Sequence, residues 1–370
     1  MWERWLTRTA PENASVTSHG SGETFALNLR FLLIVCVFVG NAIEPLIGGM
    51  PEIKALFLWI YAFHMPLFVF VTGYFARHNL NGMAGIRVLK QIALQYVIFQ
   101  SIYSLLDVFL FRVPGITHSF FMPYLLLWFL VGHIFWRLMM MLFTRYQVRH
   151  PIILSLMLGV LVGFLPVEGA WLGISRSVVY LPFFVIGYTF NFDAFRARFT
   201  PALRLLAAAL SAGILVTLYL MANRINPVWL MNNMTFHELG WTGNIWAASV
   251  LRLSIYALEI IASIAFLAWV PKRNNGITAL GQRTLYVFLI HGIVIRFVVY
   301  SGIYNHISAG IETALLIAAS VAGAIMLAQP QVRECCHPII EPKWDKIAAW
   351  TRRSVFYRGM TRMSRQAQRK

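Results

Sequence analysis

Residues 29–48 read LRFLLIVCVFVGNAIEPLIG, and this stretch decides the fold. A helix needs about 20 predominantly apolar residues to cross the hydrocarbon core of a bilayer. The stretch has that length and character. Its strongly polar side chains are Arg30, Asn41 and Glu44. Because open strands would leave backbone amides unpaired in lipid, we predict a transmembrane helix here.

Similar apolar runs recur along the chain and predict an all-α, polytopic membrane bundle of about ten transmembrane helices. The composition agrees, since 59% of the 370 residues are hydrophobic and 12% are charged. Such values exclude a disordered chain, a disulfide scaffold and almost any soluble globular enzyme. The predicted spans are residues 29–48, 55–75, 88–111, 119–143, 151–165, 178–191, 202–222, 246–270, 284–303 and 310–329.

The charge distribution predicts the orientation. The formal net charge of +17 comes from Lys and Arg in alternate gaps between apolar runs and in the C-terminal tail. This asymmetry predicts a multi-pass plasma-membrane protein with both termini in the cytoplasm. Residues 1–27 form a predicted cytoplasmic segment, 28–330 the transmembrane domain and 331–370 a basic cytoplasmic tail. Within the tail, residues 341–358 have the spacing of a helix on an anionic membrane surface, the alternative being a disordered basic tail.

Two classes of ligand are not expected. The basic residues lie in short gaps and one tail rather than in a soluble basic domain, so we predict no nucleic-acid partner. Cys36, Cys335 and Cys336 form no four-ligand metal set, and we predict free thiols and no metal.

The polar residues of the first span share one helix face. Asn41 follows Arg30 by eleven residues, which returns to within about 20° of the same face, about 16 Å farther along. Glu44 follows Asn41 by three residues and shares that face. The stripe therefore carries a cation at the predicted cytoplasmic end and an amide and a carboxylate in the outer half. The alternative is a snorkelling Arg30 with a polar helix contact at Asn41.

The second span adds a histidine at similar depth. Residues 59–78 read WIYAFHMPLFVFVTGYFARH, and His64 lies roughly 13 Å below the predicted outer surface. Pro66 should kink the helix near His64, and Gly73 permits close helix packing. Arg77 ends the span on the same side as the first arginine, which suits phosphate recognition. The alternative for Arg77 is ordinary positive-inside placement.

The longest predicted outer gap is residues 223–245. Its Trp229, His237 and Trp241 stand among several asparagines. Aromatic platforms with amide groups suit a sugar acceptor, and we predict these three residues as substrate contacts. The alternative is interfacial tryptophan anchoring beside a polar loop.

Four segments of the chain carry a resemblance. They are FHMPLFVFVTGYF at 63–75, LLLWFLVGHIFWRL at 125–138, YLPFFVIGY at 180–188 and LGQRTLYVFLIHGIVI at 280–295. Together they resemble the integral-membrane acyltransferase 3 family, close to its fucose 4-O-acetylase-like branch. The resemblance implies about ten spans and makes residues 28–330 an acyltransferase domain. It also implies transfer of an acyl group, usually acetyl, from cytoplasmic acyl-CoA to a hydroxyl of a sugar or envelope glycan. The remaining expected partner is membrane lipid, which surrounds the helices.

One position departs from the family pattern. The family's first helix carries an arginine followed, after ten intervening residues, by a histidine. Arg30 fits the arginine, but Asn41 stands where the histidine belongs, and asparagine cannot accept a hydroxyl proton. Three explanations stay open. Glu44 or His64 supplies the base, or Asn41 only orients acceptor or thioester, or the protein is a catalytically degenerate paralogue.

The predicted site therefore has three parts. His64, Glu44 and Asn41 are the catalytic candidates, with the Asn41 amide N–H as an oxyanion donor. Arg30 and Arg77 are the candidates for binding acetyl-CoA or another acyl-CoA donor. His291 is a candidate for positioning substrate, the alternative being an interhelical hydrogen bond. A rival function is a glycan or solute transporter without chemistry.

Overall fold

The computed structural model describes residues 20–113, 115, 119–124, 126–196, 198–241, 243–308 and 310–342. Within these ranges the regular elements are helices, and no strand occurs, which confirms the predicted all-α class. Most of the predicted N-terminal segment 1–27 and of the tail 331–370 lies outside the described residues, as does the expected surface helix at 341–358 beyond its first two residues.

The helices are numbered in chain order. They are α1 (Ser21–Ile43), α2 (Pro51–Tyr61), α3 (His64–Ala76), α4 (Gly82–Leu105), α5 (Trp128–Arg145), α6 (Pro151–Leu161), α7 (Ile174–Val179), α8 (Leu181–Thr189), α9 (Phe192–Arg196), α10 (Pro201–Leu220), α11 (Val228–Met231), α12 (Ile245–Leu267), α13 (Gly276–Gly281), α14 (Thr284–Tyr300), α15 (Ile311–Leu327) and α16 (Pro330–Ile340). Short 3₁₀ helices occupy Glu44–Leu46, Val162–Phe164, Trp171–Gly173 and Ile303–His306, and a π-helix covers Leu106–Phe111.

Several helices are compatible with a membrane, but the predicted count of ten is not confirmed. In the described ranges, five helical stretches are long and apolar enough to cross a bilayer, and seven if two bent pairs each count as one span. The pairs are bent by 51° between α7 and α8 and by 72° between α15 and α16. The remaining predicted spans form shorter helices: the run at 119–143 becomes helical only at Trp128.

Helix α1 lies at the centre of the bundle. It is buried on nearly every side, as expected of a helix that is apolar all round, and it contacts α3, α13, α14 and α15. The Asn28 amide donates to the carbonyls of Pro271 and Arg273 at 2.8 and 3.0 Å and accepts from the Thr278 hydroxyl at 2.6 Å. These bonds satisfy a fully buried amide and fix α1 against the segment before α14.

The predicted kink beside His64 is present as a break between α2 and α3. Phe63 departs from helical geometry with φ −131°, and α3 begins at His64. Pro66 has no N–H to offer the carbonyl of Ala62, so the helical ladder is interrupted here. The helical stretch from Pro51 to Ala76 otherwise continues through this break, which leaves His64 at the start of α3.

Two glycines allow α3 and α8 to touch through their backbones. A Cβ on Gly73 would overlap the carbonyl oxygen of Phe184, and a Cβ on Gly187 would overlap that of Phe70. The expectation that Gly73 permits close packing is confirmed. The contact is reciprocal, so each helix offers its glycine to the partner's backbone.

Replacing Gly187 by Val should therefore lower stability strongly. The new side chain must push α8 off α3, at a cost of about 3 kcal/mol. The measurement is thermal unfolding in detergent, followed by loss of the monodisperse peak. Gly213→Val is the matched control, because nothing lies within 4 Å of a Cβ on Gly213 in α10. Equal melting temperatures for the two variants would contradict this close packing.

Asp107 and Arg296 are charged residues within predicted membrane spans, and an ion pair accounts for their presence there. Asp107, in the π-helix, forms a hydrogen-bonded ion pair with Arg296 of α14. The Arg296 guanidinium also lies 5.6 to 5.7 Å from the ring centres of Phe111, Tyr124 and Tyr300. Pairing with a counter-charge and aromatic faces offsets part of the cost of holding both charges in an apolar bundle.

Candidate functional site

A cavity of about 320 Å³ brings together the three predicted catalytic residues. Asn41 and Glu44 reach it from the end of α1, and His64 reaches it from the start of α3. We call it the His64 cavity. Its other borders come from α2, α5, α7, α14 and the loops around residues 123, 170 and 232. They include Tyr61, Phe68, Trp128, Phe129, Arg176, Met231, Asn233 and Phe288.

Hydrogen bonding sets the tautomer of His64. Its Nδ1 lies 2.8 Å from the carbonyl oxygen of Ile60, which accepts but cannot donate. The proton of a neutral imidazole therefore resides on Nδ1, and Nε2 keeps its lone pair. Because Nδ1 is occupied, Nε2 is the nitrogen left for a ligand in the cavity. Nε2 of His64 is thus an oriented, unprotonated nitrogen at the cavity wall.

Hydrogen bonds likewise fix the orientation of the Asn41 side-chain amide. His291 Nδ1 lies 2.9 and 2.8 Å from the carbonyls of Val287 and Phe288, so Nδ1 donates and Nε2 accepts. The Asn41 amide nitrogen lies 3.3 Å from that Nε2 and 3.0 Å from the carbonyl of Val37. Both amide N–H groups are therefore committed. The group that Asn41 offers to the cavity is Oδ1, an acceptor, which does not fit the expected role as oxyanion donor.

His291 lies behind Asn41 rather than on the cavity wall. It is fully buried, and its Nε2 accepts from the Asn41 amide. The structure thus places His291 in an interhelical hydrogen bond between α14 and α1. Through that bond it determines which Asn41 atom faces the cavity.

Glu44 and Arg176 give the cavity one charge of each sign. Glu44 starts the 3₁₀ helix after α1, and Arg176 belongs to α7. The Nε of Arg176 donates to the carbonyl of Met231 at 2.9 Å, and its guanidinium carbon lies 5.0 Å from the ring centre of Trp128. Among the described residues that border the cavity, these two carry the side chains that are ionised at neutral pH in water.

A buried hydrogen-bond network around Asn232 fixes a loop that borders the His64 cavity. The Asn232 amide donates to Glu259 Oε1 and to the Tyr180 hydroxyl, each at 3.1 Å, and its oxygen accepts from Arg252. Asn232 adopts a left-handed conformation with φ 54°, which asparagine tolerates. Its neighbours Met231 and Asn233 both border the cavity, so the network fixes two wall residues at once.

The predicted sugar contacts lie elsewhere in this loop. Trp229 and Trp241 form a perpendicular ring pair with centroids 5.9 Å apart, and His237 is exposed. None of the three borders the His64 cavity. The loop does reach the cavity, but through the residues on either side of Asn232.

The predicted donor-binding arginines are separated. Arg77 stacks on Tyr74, with its guanidinium carbon 4.1 Å from the ring centre, and its Nη1 donates to the carbonyl of Phe190 at 3.1 Å. It borders neither cavity described here. Arg30 instead borders a second cavity of about 80 Å³, which we call the Arg30 cavity.

The Arg30 cavity is narrow and largely apolar. Arg30 donates to the Thr284 hydroxyl at 2.9 Å, and its guanidinium carbon lies 5.1 Å from the ring centre of Phe75. Among the polar residues that border this cavity, Gln91 and His133 each have a buried Nε2 atom without a hydrogen-bond partner. Buried polar atoms of this kind usually have a partner, so this cavity is suited to a ligand with polar groups along an apolar chain.

Three phenylalanines border both cavities: Phe68 of α3, Phe129 of α5 and Phe288 of α14. The ring centroids of Phe68 and Phe129 are 5.4 Å apart, and those of Phe129 and Phe288 are 5.6 Å apart. The rings therefore form one cluster that closes the boundary between the two cavities. Arg30 borders the cavity on one side of this cluster, and the catalytic candidates border the cavity on the other side.

Arg176, Asn233, Gln91 and His133 border the cavities but were not predicted as site residues. Arg176 belongs to α7, and no local pattern in the sequence indicates that this helix borders the cavity. The sequence does offer a signal for His133, since an ionisable residue inside an apolar run is costly in a membrane and often has a function. Among the described residues, no group of three or more His, Cys, Asp or Glu is placed to hold a metal ion.

No protein-family model, curated protein or solved structure matches the chain.

Proposed function

We propose that this protein is an integral-membrane O-acyltransferase of the plasma membrane. It moves an acyl group, most simply acetyl, from cytoplasmic acyl-CoA to a hydroxyl of a sugar or envelope glycan. The observation that carries the proposal is the pair of cavities that meet at Phe68, Phe129 and Phe288. Arg30 borders one cavity, and Asn41, Glu44 and His64 border the other.

The spacing along α1 suits the donor. Arg30 and Asn41 are eleven residues apart, or about 16 Å by helical rise. The pantetheine arm of acyl-CoA has about twelve bonds between phosphate and sulfur and spans roughly 14 Å at the rise of an extended chain. A phosphate held at Arg30 would therefore place the thioester in the His64 cavity. We expect the side chains of Gln91 and His133, which border the Arg30 cavity, to contact the amides of the arm.

The phenylalanine cluster must open for this to happen. In the structure the two cavities are separate, and the Arg30 cavity of about 80 Å³ is too small for the whole arm. Rotation of the three rings would admit the arm. The rings would then return to close the boundary between the cavities. A closed cluster in the absence of donor would also keep water and ions from crossing the bundle.

The chemistry follows from the groups in the His64 cavity. Nε2 of His64 takes the proton of the acceptor hydroxyl as its oxygen attacks the thioester carbonyl carbon. Arg176 donates hydrogen bonds to the oxyanion. The carbon–sulfur bond then breaks, and the CoA thiolate takes the proton from the His64 imidazolium, which yields an O-acyl ester and free CoA thiol. Asn41 Oδ1 accepts a hydrogen bond from the acceptor and orients it, and Glu44 is the alternative base.

The test is thioester turnover by purified protein in nanodiscs. Acetyl-CoA together with a crude envelope glycan should release free thiol, and neither substrate alone should do so. Thiol release that needs no acceptor would indicate hydrolysis instead. If acetyl-CoA binds without thiol release, the protein is a catalytically degenerate paralogue. If labelled glycan crosses proteoliposomes and no thiol appears, the transporter function replaces this one.

A further inference from the structure

The His64 cavity is rich in unpaired hydrogen-bond acceptors. Asn233 Oδ1 is buried without a partner, and both N–H groups of Asn41 are committed, which leaves its Oδ1. His64 keeps the lone pair of Nε2 because Nδ1 bonds to Ile60. No described residue forms a hydrogen bond or ion pair with the Glu44 carboxylate. Asn41, Glu44 and His64 thus offer acceptor atoms along the cavity wall, and Asn233 adds a buried acceptor beside it. A complementary ligand must supply several donors.

The cavity holds one carboxyl group and one guanidinium group. These belong to Glu44 and Arg176, and Arg176 has already committed its Nε to the carbonyl of Met231. An anionic ligand would pair with Arg176 but would bring its charge beside the Glu44 carboxylate and three neutral acceptor atoms. Removing that charge from water without enough donors is costly. A ligand without net charge avoids this cost.

The size of the cavity limits the ligand further. Its volume of about 320 Å³ is at the lower end of the range for small-molecule sites. That space suits one ring with several hydroxyls rather than a longer stretch of glycan. The wall combines the acceptors with apolar and aromatic surface from Trp128 and Tyr61, a combination that suits the hydroxyl and C–H faces of a sugar ring.

We propose that the His64 cavity selects an uncharged polyhydroxyl ligand, a neutral sugar ring, and that Glu44 excludes anionic sugars. Asn41, Asn233 and Glu44 accept hydrogen bonds from its hydroxyls, and Arg176 donates to its oxygens while balancing Glu44. Naming this ring as the acyl acceptor rests on the proposed function. The binding preference itself does not, because it depends on the charges and acceptors of the cavity alone.

The experiment compares methyl glucoside with methyl glucuronide, which differ in one carboxylate. Dissociation constants are measured by saturation-transfer NMR on the full chain in nanodiscs, without acyl-CoA. The neutral glycoside should bind at least about tenfold more tightly than the glucuronide. In Glu44→Gln, Arg176 loses its counter-charge, so the glucuronide should gain at least about tenfold and the preference should disappear.

A second variant keeps the test decisive if Glu44→Gln fails to fold. Asn233→Leu removes an acceptor without changing the charge, and it should weaken the neutral glycoside by about tenfold. Asn305→Leu is its control, since Asn305 is exposed and outside the cavity. Equal or tighter binding of the glucuronide by the unmodified protein overturns the proposal, as does no binding of either glycoside. Selective binding without thiol release would instead overturn the acyltransferase function and leave the selectivity standing.

Discussion

The His64→Asn variant should lose at least about 100-fold in kcat for thiol release, because a positioned general base contributes that much. The structure presents Nε2 of His64 to the cavity with its lone pair free, since Nδ1 donates to the carbonyl of Ile60. Asparagine can restore the bond to Ile60 but cannot take a proton. The KM for acetyl-CoA should change little, because His64 does not border the Arg30 cavity.

His306→Asn is the matched control, as His306 is exposed on the 3₁₀ helix after α14. It should keep the kcat of the unmodified protein. Glu44→Gln separates the two base candidates. If Glu44 is the base, that variant should show the loss of about 100-fold or more while His64→Asn retains activity. Full activity in both variants would remove the support for either base.

The Arg30→Gln variant should weaken binding of acyl-CoA by about 10- to 100-fold, the range for losing a hydrogen bond to a charged group. Arg30 borders the cavity that we assign to the donor, and its contact with Thr284 holds it there. The loss should appear in the dissociation constant for CoA and in KM, whereas kcat at saturating donor should be nearly unchanged. Isothermal titration of CoA into the protein in nanodiscs measures the first quantity.

Arg145→Gln controls for the general effect of removing a basic residue. Arg145 is exposed at the end of α5 and borders neither cavity. A size-exclusion profile equal to that of the unmodified protein shows that Arg30→Gln is folded. Unaltered CoA affinity in a folded Arg30→Gln protein would remove the role assigned to Arg30.

Much of the fold was predictable because lipid restricts what the backbone can do. The apolar runs predicted helices, and Pro66 predicted the break that positions His64. The predicted count of ten spans is not confirmed, for a physical reason. An apolar run shows that a segment avoids water, but not whether it crosses a bilayer or bends inside the bundle. The segment from Trp171 to Thr189 bends by 51°, and only tertiary packing decides such a bend.

The candidate site was likewise predictable where local helix geometry positions its residues, and not where tertiary packing does. Asn41 and Glu44 share a face because helical periodicity places them there, and His64 was placed at similar depth by helical rise. The structure brings these three to one cavity. Arg176 comes from a different part of the chain, and no local pattern indicates its approach. The orientation of Asn41 was also unpredictable, since it depends on His291, which lies 250 residues farther along the chain.

The central claim is that donor and acceptor enter from opposite sides and meet in the His64 cavity. It is tested most directly in proteoliposomes with a single protein orientation. Acetyl-CoA is placed on the side of the Arg30 cavity, and methyl glucoside on the other side. The account predicts acetylated glycoside in the acceptor compartment and free CoA thiol in the donor compartment. Acetylated product that forms only when both substrates share one compartment would contradict it.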